Sequence, residues 1–155
     1  MQLQVGDIAP NFKLFSSEKK EVALSDFAGK TVVLLFFPQA FTGVCTKEMC
    51  AMRDDLYYFN NLNAEVIGIS VDSIFTLAKF KESEHLNFSM LSDFNKEVSP
   101  LYGAFYEEFV FGMKGVSRRA AFVVDAKGVI QYAEVLESAG DMPNLEAIKQ
   151  LISNW

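Results

Sequence analysis

The sequence predicts an α/β fold, and three consecutive stretches carry this prediction. An unbroken apolar run at 31–37 ends at Pro38 and is typical of a strand that is buried on both faces. Residues 45–61 then have the apolar spacing of a helix, and 64–71 is a second apolar run of strand length. A strand, a helix and a strand at this spacing predict a βαβ unit.

Further elements are expected on both sides of this unit. Residues 11–24 alternate apolar and polar side chains about the turn SSEKKE, which predicts an N-terminal β-hairpin. After the unit we expect a helix to about residue 84 and a short strand at 88–91. Asp93 is then expected to cap a short helix near 95–104.

The last third of the chain predicts a hairpin and a terminal helix. Residues 105–117 are rich in aromatic side chains without clear periodicity, so this loop either folds over the core or forms a subunit contact. Residues 119–125 and 128–135 predict two antiparallel strands. The last helix is expected to begin near Pro143, because proline is favoured at the first helical position.

Length, charge and cysteine content narrow the class of protein. The 155 residues predict one domain, 1–155, with a sizeable core. A net charge of −6 argues against nucleic acid or an anionic membrane surface as a partner. We expect no signal peptide and no membrane span. Two cysteines without a disulfide framework favour a cytoplasmic location.

Cys45 is the first candidate for chemistry. It is predicted to lie in the first turn of a helix, just beyond the carboxyl end of a buried strand, where open α/β sheets place their sites. Unpaired N–H groups and the dipole at a helix N-terminus favour a thiolate over a thiol. The alternative is that Cys45 is a small apolar filler in the core.

The segment Pro38-x-x-x-Thr42-x-x-Cys45 resembles the active-site signature of the peroxiredoxins, which are thiol-dependent peroxidases. The resemblance implies a thioredoxin-like fold, with a central mixed β-sheet flanked by helices. It extends from VGDIAPNF near the start to the last helix. The segments similar to the alkyl hydroperoxide reductase E branch are FFPQAFTGVC, LYGAF, FVVD and YAEV, and the segment similar to the bacterioferritin-comigratory-protein branch is CTKEMC.

This resemblance implies a role for each residue of the signature. Cys45 would be the cysteine that the peroxide oxidises to a sulfenic acid, Thr42 would hold the peroxide through its hydroxyl, and Pro38 would shield the sulfur from water. The family arginine precedes the strand phenylalanine by three residues, which selects Arg119. In a thioredoxin-like sheet that strand runs antiparallel to the central strand, so Arg119 would lie beside Cys45.

Two charged side chains have alternative interpretations. Glu48 matches the family glutamate that orients the arginine, but on its own it is an ordinary charge near a helix N-terminus. Arg118 and Arg119, without the resemblance, are a solvated surface pair.

Cys50 is a candidate resolving cysteine. On an undistorted helix its Cα atom would be about 8.7 Å from that of Cys45, and a disulfide requires roughly 4.4–6.8 Å. Either the first helical turns unwind after oxidation, or Cys50 does not react and is a core position. The resemblance favours unwinding, because the comigratory branch uses this spacing for an intramolecular disulfide. The other branch has no cysteine here and uses an outside thiol.

The predicted function is therefore a thiol peroxidase that reduces hydrogen peroxide and organic hydroperoxides. No metal, haem or flavin is expected, because a thiolate, an arginine and helix N–H groups suffice to break an O–O bond. The resemblance implies thioredoxin or a similar dithiol as reductant, and a homodimer. The alternatives are a one-cysteine peroxidase, a thioredoxin-type dithiol–disulfide oxidoreductase, which the missing C-x-x-C disfavours, and a non-enzymatic redox sensor.

Overall fold

The structure is a computed structural model that describes residues 3–138 and 140–155. The strands in this part of the chain are β1 Lys13–Ser16, β2 Glu21–Ala23, β3 Thr31–Phe36, β4 Ala64–Ser70, β5 Ser89–Ser92, β6 Phe105–Glu108, β7 Lys114–Ser117, β8 Ala120–Val124 and β9 Ile130–Val135. The α-helices are α1 Gly43–Asn61, α2 Ile74–Ser83, α3 Val98–Leu101 and α4 Leu145–Ser153.

Seven strands form one mixed sheet in the order β2-β1-β5-β4-β3-β8-β9. The strand β3 is parallel to β4 on one side and antiparallel to β8 on the other. The N-terminal hairpin β1–β2 joins the sheet through β5. The predicted βαβ unit, N-terminal hairpin and C-terminal β8–β9 hairpin are therefore confirmed, and so is the mixed sheet.

The central strand β3 is apolar throughout because both faces of the sheet are covered. Val33 and Leu35 pack into a core with α1, α2 and α4, whereas Val32, Leu34 and Phe36 pack into a second core with α3 and the chain before β1. A fully buried strand has no polar face, so it loses the alternation of a half-buried one. This packing fixes the end of β3, from which the next loop begins.

The predicted helix near 95–104 is shorter than expected. Only the four residues of α3 are helical, and Pro100 is tolerated in this first turn because its missing N–H would have no helical partner there. Asp93 does cap the turn, since its carboxylate accepts the N–H groups of Val98 and Ser99. The carboxylate cap therefore stabilises a single turn.

The aromatic stretch 105–117 is not a loop, and this part of the prediction was wrong. It forms a second, two-stranded sheet, β6–β7, in which Phe105 pairs with Ser117. In β6 no residue is fully buried, whereas three consecutive residues of β7 are buried, so neither strand alternates buried and exposed side chains and no period-2 pattern marks them in the sequence. At the tip, Phe111 is 98% exposed and has a left-handed φ of 58°.

The last helix begins two residues later than predicted. Asn144 is the N-cap of α4, and its side chain accepts the N–H of Ala147 at 3.0 Å. Pro143 precedes the cap and lies outside the first turn. A side-chain acceptor at the N-cap satisfies a free helical N–H, which explains why the start is at Asn144.

Candidate active site

Cys45 reaches its place through the end of β3 and the start of α1. After Phe36 the chain leaves the sheet, and Thr42 becomes the N-cap of α1. Cys45 is the third residue of the helix and is 1% exposed. Its sulfur therefore lies in the first helical turn, where N–H groups without helical partners favour negative charge.

Arg119 lies against this sulfur. Because β8 is antiparallel to β3 and pairs Ala120 with Phe36, the residue before β8 lies at the carboxyl end of β3. The Nη2 of Arg119 donates to the Cys45 Sγ at 3.0 Å, and the guanidinium is buried. A buried guanidinium at hydrogen-bond distance stabilises a thiolate strongly, because little water screens the two charges.

The neighbouring Arg118 has a different environment. Its guanidinium carbon lies 4.9 Å from the centre of the Tyr106 ring, in a cation–π contact. The structure thus separates the two adjacent arginines, one beside the thiol and one against the β6–β7 hairpin.

Glu48 completes the buried group. It is 0% exposed, and its Oε1 accepts from Nη1 of Arg119 at 2.7 Å. Burial raises the pKa of the Glu48 carboxyl from 4.5 to about 7, against the opposing effect of Arg119. Oε2 is buried without a hydrogen-bond partner among the described residues. Glu48 is therefore not an ordinary solvated charge: it is buried and binds the same guanidinium that contacts Cys45.

The loop between β3 and α1 carries the other two residues of the signature. Pro38 is buried where β3 ends, and the Thr42 hydroxyl donates to the carbonyl of Gln39 at 2.8 Å. Phe41 has a left-handed φ of 69°, which costs a residue with a Cβ on the order of 1–3 kcal/mol. Surrounding contacts must therefore hold this loop in its conformation.

Cys50 lies five residues further along α1, about 1.4 turns, and is half-buried. Both cysteines are free, and the helix between them is unbroken. Burial raises the pKa of the Cys50 thiol, while Arg53 acts in the opposite direction. A Cys45–Cys50 disulfide thus requires the first turns of α1 to unwind, since an intact helix keeps the Cα atoms about 8.7 Å apart.

One residue of this region was missed in the sequence. Asp72 follows β4, and its Oδ2 accepts the N–H of Ala40, in the loop before α1, at 2.8 Å. The signal was available, because an aspartate directly after a buried parallel strand lies at the carboxyl edge of the sheet. The N-cap of α2, the helix that was expected to end near residue 84, is the next residue, Ser73.

Together, the buried thiol, its guanidinium and the helix N-terminus form a preorganised site for a sulfur nucleophile. Among the residues that the structure describes, no group of three His, Cys, Asp or Glu side chains could hold a metal ion. Nor is any helix in 3–138 or 140–155 long and apolar enough to cross a membrane. Fold and site thus define a cysteine-based redox enzyme.

Comparisons with known proteins specify this class further. Residues 5–133 match the AhpC/TSA family. The chain is 37% identical over 132 residues to peroxiredoxin Bcp of Escherichia coli K12, covering 84% of each. It is 39% identical over 135 residues to a putative peroxiredoxin of Mycobacterium tuberculosis H37Rv, covering 86% of this chain and 85% of the relative.

Solved structures agree with these relatives. The crystal structure of peroxidoxin BcpB from Mycobacterium tuberculosis superposes with a TM-score of 0.87 at 27% identity, over 99% of this chain and 98% of that one. A reduced 2-Cys peroxiredoxin of Plasmodium vivax gives 0.84 at 31% identity, over 97% and 81%. The chain belongs to the AhpC/TSA family and is a peroxiredoxin, a thiol peroxidase with a thioredoxin-like fold.

Proposed function

We propose that the protein reduces hydrogen peroxide and organic hydroperoxides through the Cys45 thiolate. The observation that carries this proposal is the 3.0 Å contact between Arg119 Nη2 and the buried Cys45 Sγ. The thiolate attacks one peroxide oxygen, so an S–O bond forms while the O–O bond breaks. The leaving oxygen takes up a proton and departs as water or an alcohol. Sulfur is oxidised by two electrons to a sulfenic acid, and the peroxide is reduced by the same two.

The neighbouring residues have distinct roles in this proposal. Arg119 stabilises the thiolate and the negative charge that develops on the leaving oxygen. Thr42 places its hydroxyl against the bound peroxide after exchanging its present partner, the carbonyl of Gln39. Pro38 excludes water from the sulfur, and Glu48 fixes the orientation of the guanidinium from behind.

The second step in the proposal is resolution by Cys50. The Cys50 thiol attacks the Cys45 sulfenic acid, a disulfide forms and water leaves, once the first turns of α1 have unwound. A thioredoxin-like dithiol then reduces the disulfide and is itself oxidised to a disulfide. This cycle suits a cytoplasmic location, where protein thiols are kept reduced.

A homodimer is also part of the proposal. It is supported by the tip of the β6–β7 hairpin, where Val110 is 52% exposed and Phe111 is 98% exposed. Apolar side chains presented together at a tip are suited to a subunit contact. Sedimentation of the reduced protein tests this part, and a monomer across the micromolar range would contradict it.

The test of the proposed function is the intact mass of the reduced protein after one equivalent of hydrogen peroxide, with both cysteines mapped. Loss of two hydrogens, mapped within one chain to Cys45 and Cys50, supports both steps. Gain of one oxygen at Cys45 alone supports the first step, and it means that an outside thiol, not Cys50, resolves the sulfenic acid. An unchanged mass would contradict the proposal.

A further inference from the structure

Asp72 connects the main sheet to the loop that precedes the Cys45 helix. Its Oδ2 accepts two hydrogen bonds, one from the backbone N–H of Ala40 at 2.8 Å and one from the hydroxyl of Ser70 at 2.7 Å. Ala40 lies between Gln39, whose carbonyl accepts from Thr42, and Phe41, whose backbone is left-handed. The carboxylate therefore binds the middle of a strained loop.

The other side of Asp72 is fixed to the sheet. Ser70 is fully buried at the end of β4, and its Oγ also accepts the N–H of Asp72 at 3.2 Å. The hydroxyl of Ser92, at the paired position of β5, donates to the carbonyl of Asp72 at 2.5 Å. Residues of two adjacent strands thus fix the position of Asp72, so its hydrogen bond to Ala40 fixes the loop relative to the sheet.

The sulfur is held by a different set of contacts. Cys45 contacts Arg119, which also binds Glu48, whereas the carboxylate of Asp72 binds the Ala40 N–H and the Ser70 hydroxyl. The loop depends instead on Asp72 for its Ala40 N–H. Loss of Asp72 would displace the loop, and with it Thr42, while leaving the thiolate and its guanidinium in place.

We infer that Asp72 is a positioning residue for peroxide reduction, one that holds the Gln39–Thr42 loop so that the Thr42 hydroxyl meets the peroxide. This inference rests on the proposed function. It separates two properties of the site, the nucleophilicity of the sulfur and the placement of its substrate. A displacement of about 1 Å in such a contact can lower a rate by about 10²-fold.

The test compares Asp72→Ala with Asp125→Ala. Asp125 is a matched control, because its carboxylate also accepts backbone N–H groups, from Lys127 and Val129 at 2.9 Å each. It follows β8 and lies at the opposite edge of the sheet from Cys45. Both variants lose a carboxylate that accepts backbone N–H groups of a loop, and only one of the two loops belongs to the candidate site.

Two rates are measured for each full-length variant per folded molecule: oxidation of Cys45 by hydrogen peroxide and its alkylation by iodoacetamide. We expect Asp72→Ala to slow oxidation by about 10- to 100-fold and to leave alkylation unchanged, while Asp125→Ala changes neither. Equal oxidation rates in the two variants, or equal slowing of oxidation and alkylation in Asp72→Ala, would overturn the inference.

A second variant keeps the test decisive where Asp72→Ala does not fold. Ser70→Ala removes one of the two hydrogen bonds to the same carboxylate, and we expect it to slow oxidation less, again without affecting alkylation. An unchanged oxidation rate in Ser70→Ala would then overturn the inference. If hydrogen peroxide does not oxidise the wild-type protein, the proposed function is refuted, and the role of Asp72 is refuted with it.

Discussion

The two cysteines of α1 are five residues apart and have very different surroundings. Cys45 is 1% exposed and receives a hydrogen bond from the buried Arg119. Cys50 is half-buried, burial raises the pKa of its thiol, and Arg53 opposes that effect. The same residue type on the same helix is thus suited to two tasks. The difference comes from a segment distant in sequence, because the pairing of β8 with β3 places Arg119, the residue before β8, beside Cys45.

The largest expected effect on peroxide consumption comes from replacing each cysteine by serine in a separate variant. We expect Cys45→Ser to abolish peroxide consumption, because a serine hydroxyl is not ionised at neutral pH. Cys50→Ser should leave the rate of the first oxidation unchanged and prevent the intramolecular disulfide. Stopped-flow oxidation of each variant, followed by cysteine mapping, measures both steps. Full peroxide consumption by Cys45→Ser, or slow oxidation of Cys45 in Cys50→Ser, would contradict the assignment of the two thiols to two different steps.

The next effect separates the two adjacent arginines. Arg119→Ala should lower the rate of Cys45 oxidation by about 10²–10³-fold, the usual cost of losing a preorganised donor to a developing negative charge. Arg118→Ala is the matched control, and since the guanidinium of Arg118 contacts the Tyr106 ring rather than the sulfur, this variant should oxidise at the wild-type rate.

Arg119→Ala also leaves a buried carboxyl without its partner. The double variant Arg119→Ala/Glu48→Gln removes that defect and should be equally slow. A wild-type oxidation rate in the double variant would show that Cys45 does not depend on this guanidinium.

The smallest expected effect concerns Glu48 and is a change in stability. Its folded pKa of about 7 lies above the ordinary 4.5, so between these values the folded state holds a proton that the unfolded state releases. The free energy of unfolding should therefore fall as the pH rises from 5 to 8. Relative to Glu48→Gln, whose amide does not titrate, we expect a fall on the order of 1–3 kcal/mol.

Urea denaturation of both proteins, under reducing conditions at the two pH values, measures this difference. A parallel pH dependence in the wild-type protein and Glu48→Gln would mean that the carboxyl titrates alike in the folded and unfolded chains. The buried pair would then be ionised throughout, and Glu48 would differ little from a solvated glutamate.

Much of the fold could be predicted because the pattern of apolar residues within a single segment indicates whether that segment is a strand or a helix. The apolar run of β3 and the spacing of α1 are visible in single segments, and the end of β3 already places Cys45 at a helix N-terminus. The position of Arg119 beside Cys45 was predictable only through the resemblance, because no single segment of the sequence reveals the order of the strands in the sheet. Its contact with Cys45 depends on the pairing of Ala120 with Phe36.

The features that could not be predicted depend on tertiary contacts. The strands β6 and β7 do not alternate buried and exposed side chains, so they leave no periodic signal in the sequence. The burial of Glu48 and the raised pKa of its carboxyl follow from packing around the helix. The link from Asp72 to Ala40 joins two loops 32 residues apart, and only the folded sheet brings their ends together.

The burial of Cys45 also imposes an order on the partners that the sulfur can meet. Cys45 is 1% exposed, so access to its sulfur favours a molecule as small as a peroxide. Another protein's thiol is attached to a bulky surface and is excluded until the helix opens. In this closed conformation a sulfenic acid formed at Cys45 is therefore shielded from the thiols of other proteins, and α1 must open before one of them can condense with it, with loss of water, to a mixed disulfide.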